Sequence, residues 1–166
     1  MQQINPINTV QVIRDGGAHG QIPGDLHVGV GWWLAACLVV VERASTVVIG
    51  HDGAAVSAEI HDRACGGVRN AEHYACCALS LGHVTESRVL DAVSSLGAPG
   101  IHVSIDRYRG RMVSIRLYGR KGALLEESTG LARIRQLIAE DRVPRPVNSA
   151  AQGRLGRYSA PGRRLQ

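Results

Sequence analysis

Gly100-Ile101-His102-Val103-Ser104-Ile105-Asp106-Arg107-Tyr108-Arg109-Gly110-Arg111-Met112-Val113-Ser114-Ile115-Arg116-Leu117-Tyr118-Gly119-Arg120-Lys121-Gly122 is the stretch on which the reading of the fold turns. Two apolar, β-branched runs, 101–105 and 113–118, flank a short basic loop at 106–111. A Gly-Arg-Lys-Gly turn closes it. The pattern predicts a strand, a loop able to carry chemistry, a second strand and a tight turn.

Upstream, residues 9–13 alternate polar and β-branched side chains and read as a first strand ending at Arg14-Asp15-Gly16-Gly17. Asp25 is placed to cap a helix from Leu26 to about Arg43, uncharged from Val28 to Val41, with Trp32 and Trp33 in its middle. A membrane span needs roughly 18 or more apolar residues. This run is shorter and holds two glycines, so a helix buried on most sides is expected, with one tryptophan free to face a partner or ligand. Residues 46–50 form a buried strand leading to His51-Asp52-Gly53. A helix over 57–70, weakened by Gly66-Gly67, a strand over 74–79 and a helix from Thr85 to Leu96 follow. After the turn, 124–140 is amphipathic, with Leu131, Ile134, Leu137 and Ile138 on one side. Strands alternating with helices argue an α/β fold, a single three-layer α/β/α domain with a mixed sheet.

The chain of 166 residues allows one domain, 1–140, with a tail over 141–166. The formal net charge of +5 lies in that tail, where six arginines face one acid, while the first 140 residues carry 13 bases and 13 acids. A nucleic-acid face within the fold is therefore not implied, and a weak interaction through the arginine-rich tail is an alternative. The tail's Pro, Gly, Ser and Arg content argues a flexible or draped segment. Cys37, Cys65, Cys76 and Cys77 show no Cys-x-x-Cys spacing and suit reduced thiols in a cytoplasmic protein. The Met1-Gln2-Gln3 opening carries no basic-then-apolar pattern, so no export address is expected. No Ser-His-Asp order, phosphate-cradling glycine motif or zinc spacing rises above chance, and neither cofactor nor metal is expected.

Over 10–140 the order of elements resembles the first domain of the phosphohexomutases, the phosphomannomutase and phosphoglucomutase family. There a strand enters a Thr-Ala-Ser-His-Asn-Pro loop, whose serine carries the phosphoryl group, and leaves through a Gly-Phe-Lys strand. Residues 114–119, with Gly122-Ala123 behind them, match the exit. In the loop, Asp106 falls at the serine, Arg107 at the histidine, and Tyr108-Arg109 replace Asn-Pro. Arg14 matches an arginine that faces the family's active site, or is a solvated turn residue. His51-Asp52-Gly53 is close to the family's Gly-Arg-Asp-Gly-Arg loop, with His51 and Ala54 at its arginine positions.

The resemblance implies that the loops at Arg14, His51-Asp52 and Asp106-Arg107 converge on one sheet edge, where α/β folds bind ligands. An aspartate cannot be reversibly phosphorylated as a serine is, so mutase activity is not expected. Asp106 and His51 are the candidate acid–base pair. Arg14, Asp52, Arg107, Tyr108 and Arg109 are the candidate contacts to an anionic small molecule. Isomerase, lyase or cyclase chemistry in a biosynthetic pathway would suit this set; a non-catalytic ligand- or protein-binding domain is the other reading. A lone copy of such a domain is expected to self-associate, with Trp32 or Trp33 at the interface.

Overall fold

Alternation in the central hairpin is what builds the sheet. In the computed structural model, β5 (Gly100–Asp106) and β6 (Met112–Tyr118) pair antiparallel from Gly100↔Tyr118 to Asp106↔Met112. Residues 7–71, 76–106, 108, 111–143 and 153–158 are described. Ile101, Val103, Val113, Ile115 and Leu117 fall on one face and are buried. His102, Ser104 and Asp106 fall on the other, as a period of two requires.

Seven strands follow the order β1-β2-β6-β5-β3-β4-β7. The hairpin of β1 (Ile13–Arg14) and β2 (Gly17–Gln21) adds antiparallel to β6. On the other side β3 (Thr46–His51), β4 (Cys77–His83) and β7 (Arg154–Arg157) run parallel to β5. The sheet is therefore mixed, and the fold is α/β. Residues expected as tail supply β7, hydrogen-bonded to β4 from Cys77↔Arg154 to Ser80↔Arg157.

One face of the sheet is covered by α2 (Val30–Glu42), α3 (Ala55–Ala71) and α5 (Leu131–Ala139), whose apolar residues share the main core with β3, β5 and β6. The opposite face carries α4 (Glu86–Leu96), whose Ala92 packs with Val48 and Ala98. Helix α2 is buried continuously from Leu34 to Val39, which its lack of charge requires. It lies against α3 at Gly66-Gly67, where a Cβ on Gly67 would overlap the Trp32 carbonyl. Gly67, one of the two glycines that weaken α3 on propensity, therefore permits this close backbone contact between the helices. Trp32 and Trp33 both pack on the chain's own core. None of the four cysteines forms a disulfide, and burial pushes the thiols of Cys37 and Cys65 up to about 12. Among the described residues no helix is long and apolar enough to cross a membrane.

Three expectations need correcting. Residues 9–12 form a one-turn helix, α1 (Thr9–Val12), because Asn8 caps it by accepting the Gln11 amide, and only Ile13–Arg14 is strand. Asp25 does not cap α2: its carboxylate accepts the Gln21 amide at 3.0 Å and closes a turn, so the helix begins four residues later, at Val30. The helix expected over 124–140 is interrupted at Gly130, whose φ of 143° no ordinary L-residue adopts comfortably; a 3-10 turn (Glu127–Thr129) precedes it and α5 follows.

Candidate functional site

The residues expected to form one site are distributed over three places. Arg14 lies at the β1–β2 hairpin, bonded to Asp15 at 2.6 Å and to the Gln11 carbonyl at 3.0 Å. Its neighbour Gly17 pairs with Arg116, whereas Asp106 pairs with Met112. Those rungs are four steps apart along β6, about 13 Å at ~3.3 Å per residue, so Arg14 is at the far end of the hairpin ladder from Asp106. It does not converge with the other loops.

Asp106 is exposed, and its carboxylate accepts the Tyr108 amide at 2.9 Å in a local turn. Tyr108 is fully exposed. Arg107 and Arg109 lie outside the described residues. His51 pairs with Val103, three residues before Asp106 on β5, and shares Val103's face of the sheet. Asp106 has the opposite parity. The imidazole and the carboxylate therefore leave opposite faces, and no acid–base pair forms between them.

Asp52 does join the two loops, as a fastener. Its Oδ2 accepts the Ile105 amide at 2.8 Å and its Oδ1 the Ala54 amide at 3.0 Å. Burial raises this carboxyl, but the Ile105 and Ala54 amides, with the Ser57 hydroxyl and the field of His102, outweigh it and hold it below its ordinary value. His51 is also committed locally, because its Nδ1 accepts the Gly53 amide at 3.1 Å. Burial first, then the neighbouring His61 and His83, lower its pKa.

What the structure does bring together is a second set of groups on the same edge. The register of β3 and β4 skips at Ile49/Gly50: Ile49 faces Ser80, yet Gly50 faces Gly82. Leu81 is the extra residue of a bulge, with Gly82 at a φ of 66°. That offset turns His83 beside His51, their rings stacked 6.2 Å apart, while His61 from α3 meets His51 edge-on at 4.9 Å.

His61 is 6% exposed. It sits on the buried stripe of α3, with Ser57, Ile60, Ala64, Cys65 and Val68. Its Nδ1 lies 2.9 Å from Oδ1 of Asp62, and its Nε2 lies 2.8 Å from the Ser80 hydroxyl. A carboxylate only accepts, so Nδ1 carries the proton of the neutral ring and Nε2 accepts from Ser80. The Ser80 oxygen in turn accepts the Gly82 amide at 3.2 Å.

This chain of three groups lines a cavity of about 710 Å³ between α3, β4 and β7. Arg69 and Arg157 supply positive charge to its walls, and Leu81, Leu155 and Tyr158 supply apolar surface. Arg157 stands directly across the ladder from Ser80. Sequence order concealed this set: Ser80 and His61 are 19 residues apart. The available signal was a histidine on the apolar stripe of α3 followed at once by an aspartate. Among the described residues no cluster of three or more His, Cys, Asp or Glu could hold a metal ion.

No protein-family model matches this sequence, and no curated protein matches it significantly. Solved structures do. A phosphoglucomutase/phosphomannomutase family protein from Burkholderia thailandensis superposes with a TM-score of 0.73 at 16% identity, covering 92% of this chain and 34% of that one. A putative phosphomannomutase from Thermus thermophilus gives 0.59 at 17% identity, covering 86% of this chain and 31% of that one. The chain thus has a phosphohexomutase-like fold and spans about a third of the length of the proteins it resembles.

Proposed function

We propose that this chain is a phosphohexomutase-like domain put to a use other than phosphoryl transfer, binding an anionic small molecule in the α3–β4–β7 cavity and moving a proton there through His61. The observation that carries the reading is the hydrogen-bonded line Asp62–His61–Ser80 at the wall of a cavity with Arg69 and Arg157. Guanidinium groups bind carboxylates and phosphates through directed, charge-assisted hydrogen bonds. A neutral imidazole with its Nδ1 proton fixed is ready to accept at Nε2.

Loss of mutase activity is supported by Asp106 at the position of the family's serine, and by its use in an exposed turn. The pure protein is expected not to interconvert mannose 6-phosphate and mannose 1-phosphate, with or without magnesium; turnover would overturn that part of the reading.

Calorimetric titration with citrate, inorganic phosphate and glucose 6-phosphate tests the binding. At least one should bind saturably. Arg157→Ala should weaken it about tenfold or more, since a charge-assisted hydrogen bond contributes about 1.5–3 kcal/mol. Absence of binding to all three, or indifference to Arg157→Ala, would refute an anion site here.

A further inference from the structure

We infer that Ser80, His61 and Asp62 form a nucleophilic relay, and that the cavity beside them hydrolyses carboxylic esters bearing an anionic group. The inference rests on the proposed anion site and names its reaction and substrate class. The three groups come from two elements that the fold clamps together: His61 and Asp62 from α3, and Ser80 from β4, just before its bulge. Every proton in the line has a direction. Asp62 accepts from Nδ1–H, Nε2 accepts from the Ser80 hydroxyl, and the Gly82 amide donates to the same oxygen. This is the hydrogen-bond order of a nucleophile–base–carboxylate relay, here with an exposed carboxylate.

The same hydrogen bonds would satisfy a histidine of purely structural role. What separates the two is the surroundings. All three side chains line an open cavity of about 710 Å³, and Ser80 is only half-buried. A bulge has turned the chain at that point, and Gly82 has nothing within 4 Å of the position a Cβ would take. Cys65 is the rival nucleophile, with its sulfur 3.8 Å from the same Nε2. Cys65 is buried, whereas the half-buried Ser80 hydroxyl lies 2.8 Å from that nitrogen, so the serine holds the nearer and more accessible position.

The chemistry balances with water as the only co-reactant. The Ser80 hydroxyl proton passes to Nε2 of His61 as Oγ bonds to the carbonyl carbon. The carbonyl electron pair moves onto its oxygen and returns as the bond to the leaving alkoxide breaks. His61 then gives its proton to that alkoxide. Water repeats the sequence on the acyl-Ser80, leaving a carboxylic acid and the free serine. Arg157, across the ladder from Ser80, is placed for the anionic end of the ester. Asp62 is a positioning residue: it touches the imidazole and not the substrate.

The test is labelling of the intact protein with a fluorophosphonate, which forms a phosphorus–oxygen bond to an activated serine with loss of fluoride, followed by peptide mapping. Hydrolysis of p-nitrophenyl acetate, p-nitrophenyl hemisuccinate and p-nitrophenyl phosphate is measured alongside. The label should map to Ser80 and disappear in His61→Ala. Hemisuccinate should be cleaved in preference to acetate, with about a thousandfold loss of rate in Ser80→Ala. Asp62→Asn should lower kcat about tenfold at unchanged KM, and Asp62→Glu should restore most of it. Ser80 unlabelled in the wild-type protein overturns the relay, whatever the variants do. Serine-dependent turnover of the phosphate ester and not of the carboxylic esters overturns the substrate class. If citrate binds while Ser80 stays unlabelled, the relay fails and the anion site stands. If Ser80 labels while no anion binds, the relay stands and the anion site fails.

Discussion

The Ile105 amide donates to Oδ2 of Asp52 at 2.8 Å, which ties the loop leaving β3 to the end of β5. With the Ala54 amide on its other oxygen, Asp52 has both acceptors engaged by backbone and is a structural fastener. Asp52→Ala is expected to lower stability by about 1–2 kcal/mol, the value of hydrogen bonds to a charged group discounted for partial exposure. The carboxyl is held below its ordinary value of 3.8. Its contribution is therefore complete above the unfolded-state value and is lost as pH falls through the folded one. Urea unfolding near neutrality and at acid pH should show the variant's deficit shrink on acidification. Equal midpoints near neutrality would mean the fastener contributes nothing.

The parts of the fold legible in sequence are those where local pattern and tertiary demand agree. Alternation fixes β5 and β6, and Thr85 caps α4 through the Arg88 amide as its residue type suggests. Residues 9–13 misled because alternation over so few positions also fits one helical turn, and Asn8 decided the matter. The site was less legible. Asp106 and His51 mark loops on the same edge, but side-chain parity, which depends on register, sends them to opposite faces. Ser80 meets His61 only through tertiary packing, and a β4 bulge that no composition signal announces places His83 against His51.

Arg135 is expected to anchor α5 to the edge hairpin. Its Nε and Nη2 donate to the Ile13 carbonyl at 3.0 and 2.8 Å, and its Nη1 donates to Glu127 at 2.8 Å. Such a fork needs a planar guanidinium. Arg135→Lys should therefore recover little of the roughly 1 kcal/mol lost in Arg135→Ala. Full recovery by lysine, read from thermal melts, would show that charge alone matters.

His51 should make the fold acid-sensitive. Its imidazole titrates below 6.5, through burial first and then the fields of His61 and His83, against the opposing pull of Asp52 and Asp62. The unfolded chain therefore binds its proton at higher pH than the folded one. Stability falls as pH drops below the unfolded value, and the loss stops growing once the folded ring is also protonated. Burial lowers His19 and His27 in the same direction. His51→Asn keeps an acceptor for the Gly53 amide and removes one proton from the difference. Between about pH 7.5 and about pH 5 its urea midpoint should fall less than that of the wild type. Parallel curves would exclude His51 as a contributor.

Gly66 and Gly67 separate propensity from packing at adjacent positions of α3. A Cβ at Gly66 would stand 3.4 Å from Cδ1 of Trp32, at ordinary contact distance. A Cβ at Gly67 would overlap the Trp32 carbonyl, and backbone cannot step aside as a side chain can. Gly66→Ala should therefore be neutral or stabilise by up to about 1 kcal/mol, the helix-propensity gain. Gly67→Ala should destabilise by about 1–3 kcal/mol or more, because α2 and α3 must move apart at a backbone contact. Denaturant midpoints of the two variants measure the difference directly. If both alanines stabilise, α2 and α3 do not pack at the closeness described, and the wall of the cavity formed by Gly66 and His61 moves with them.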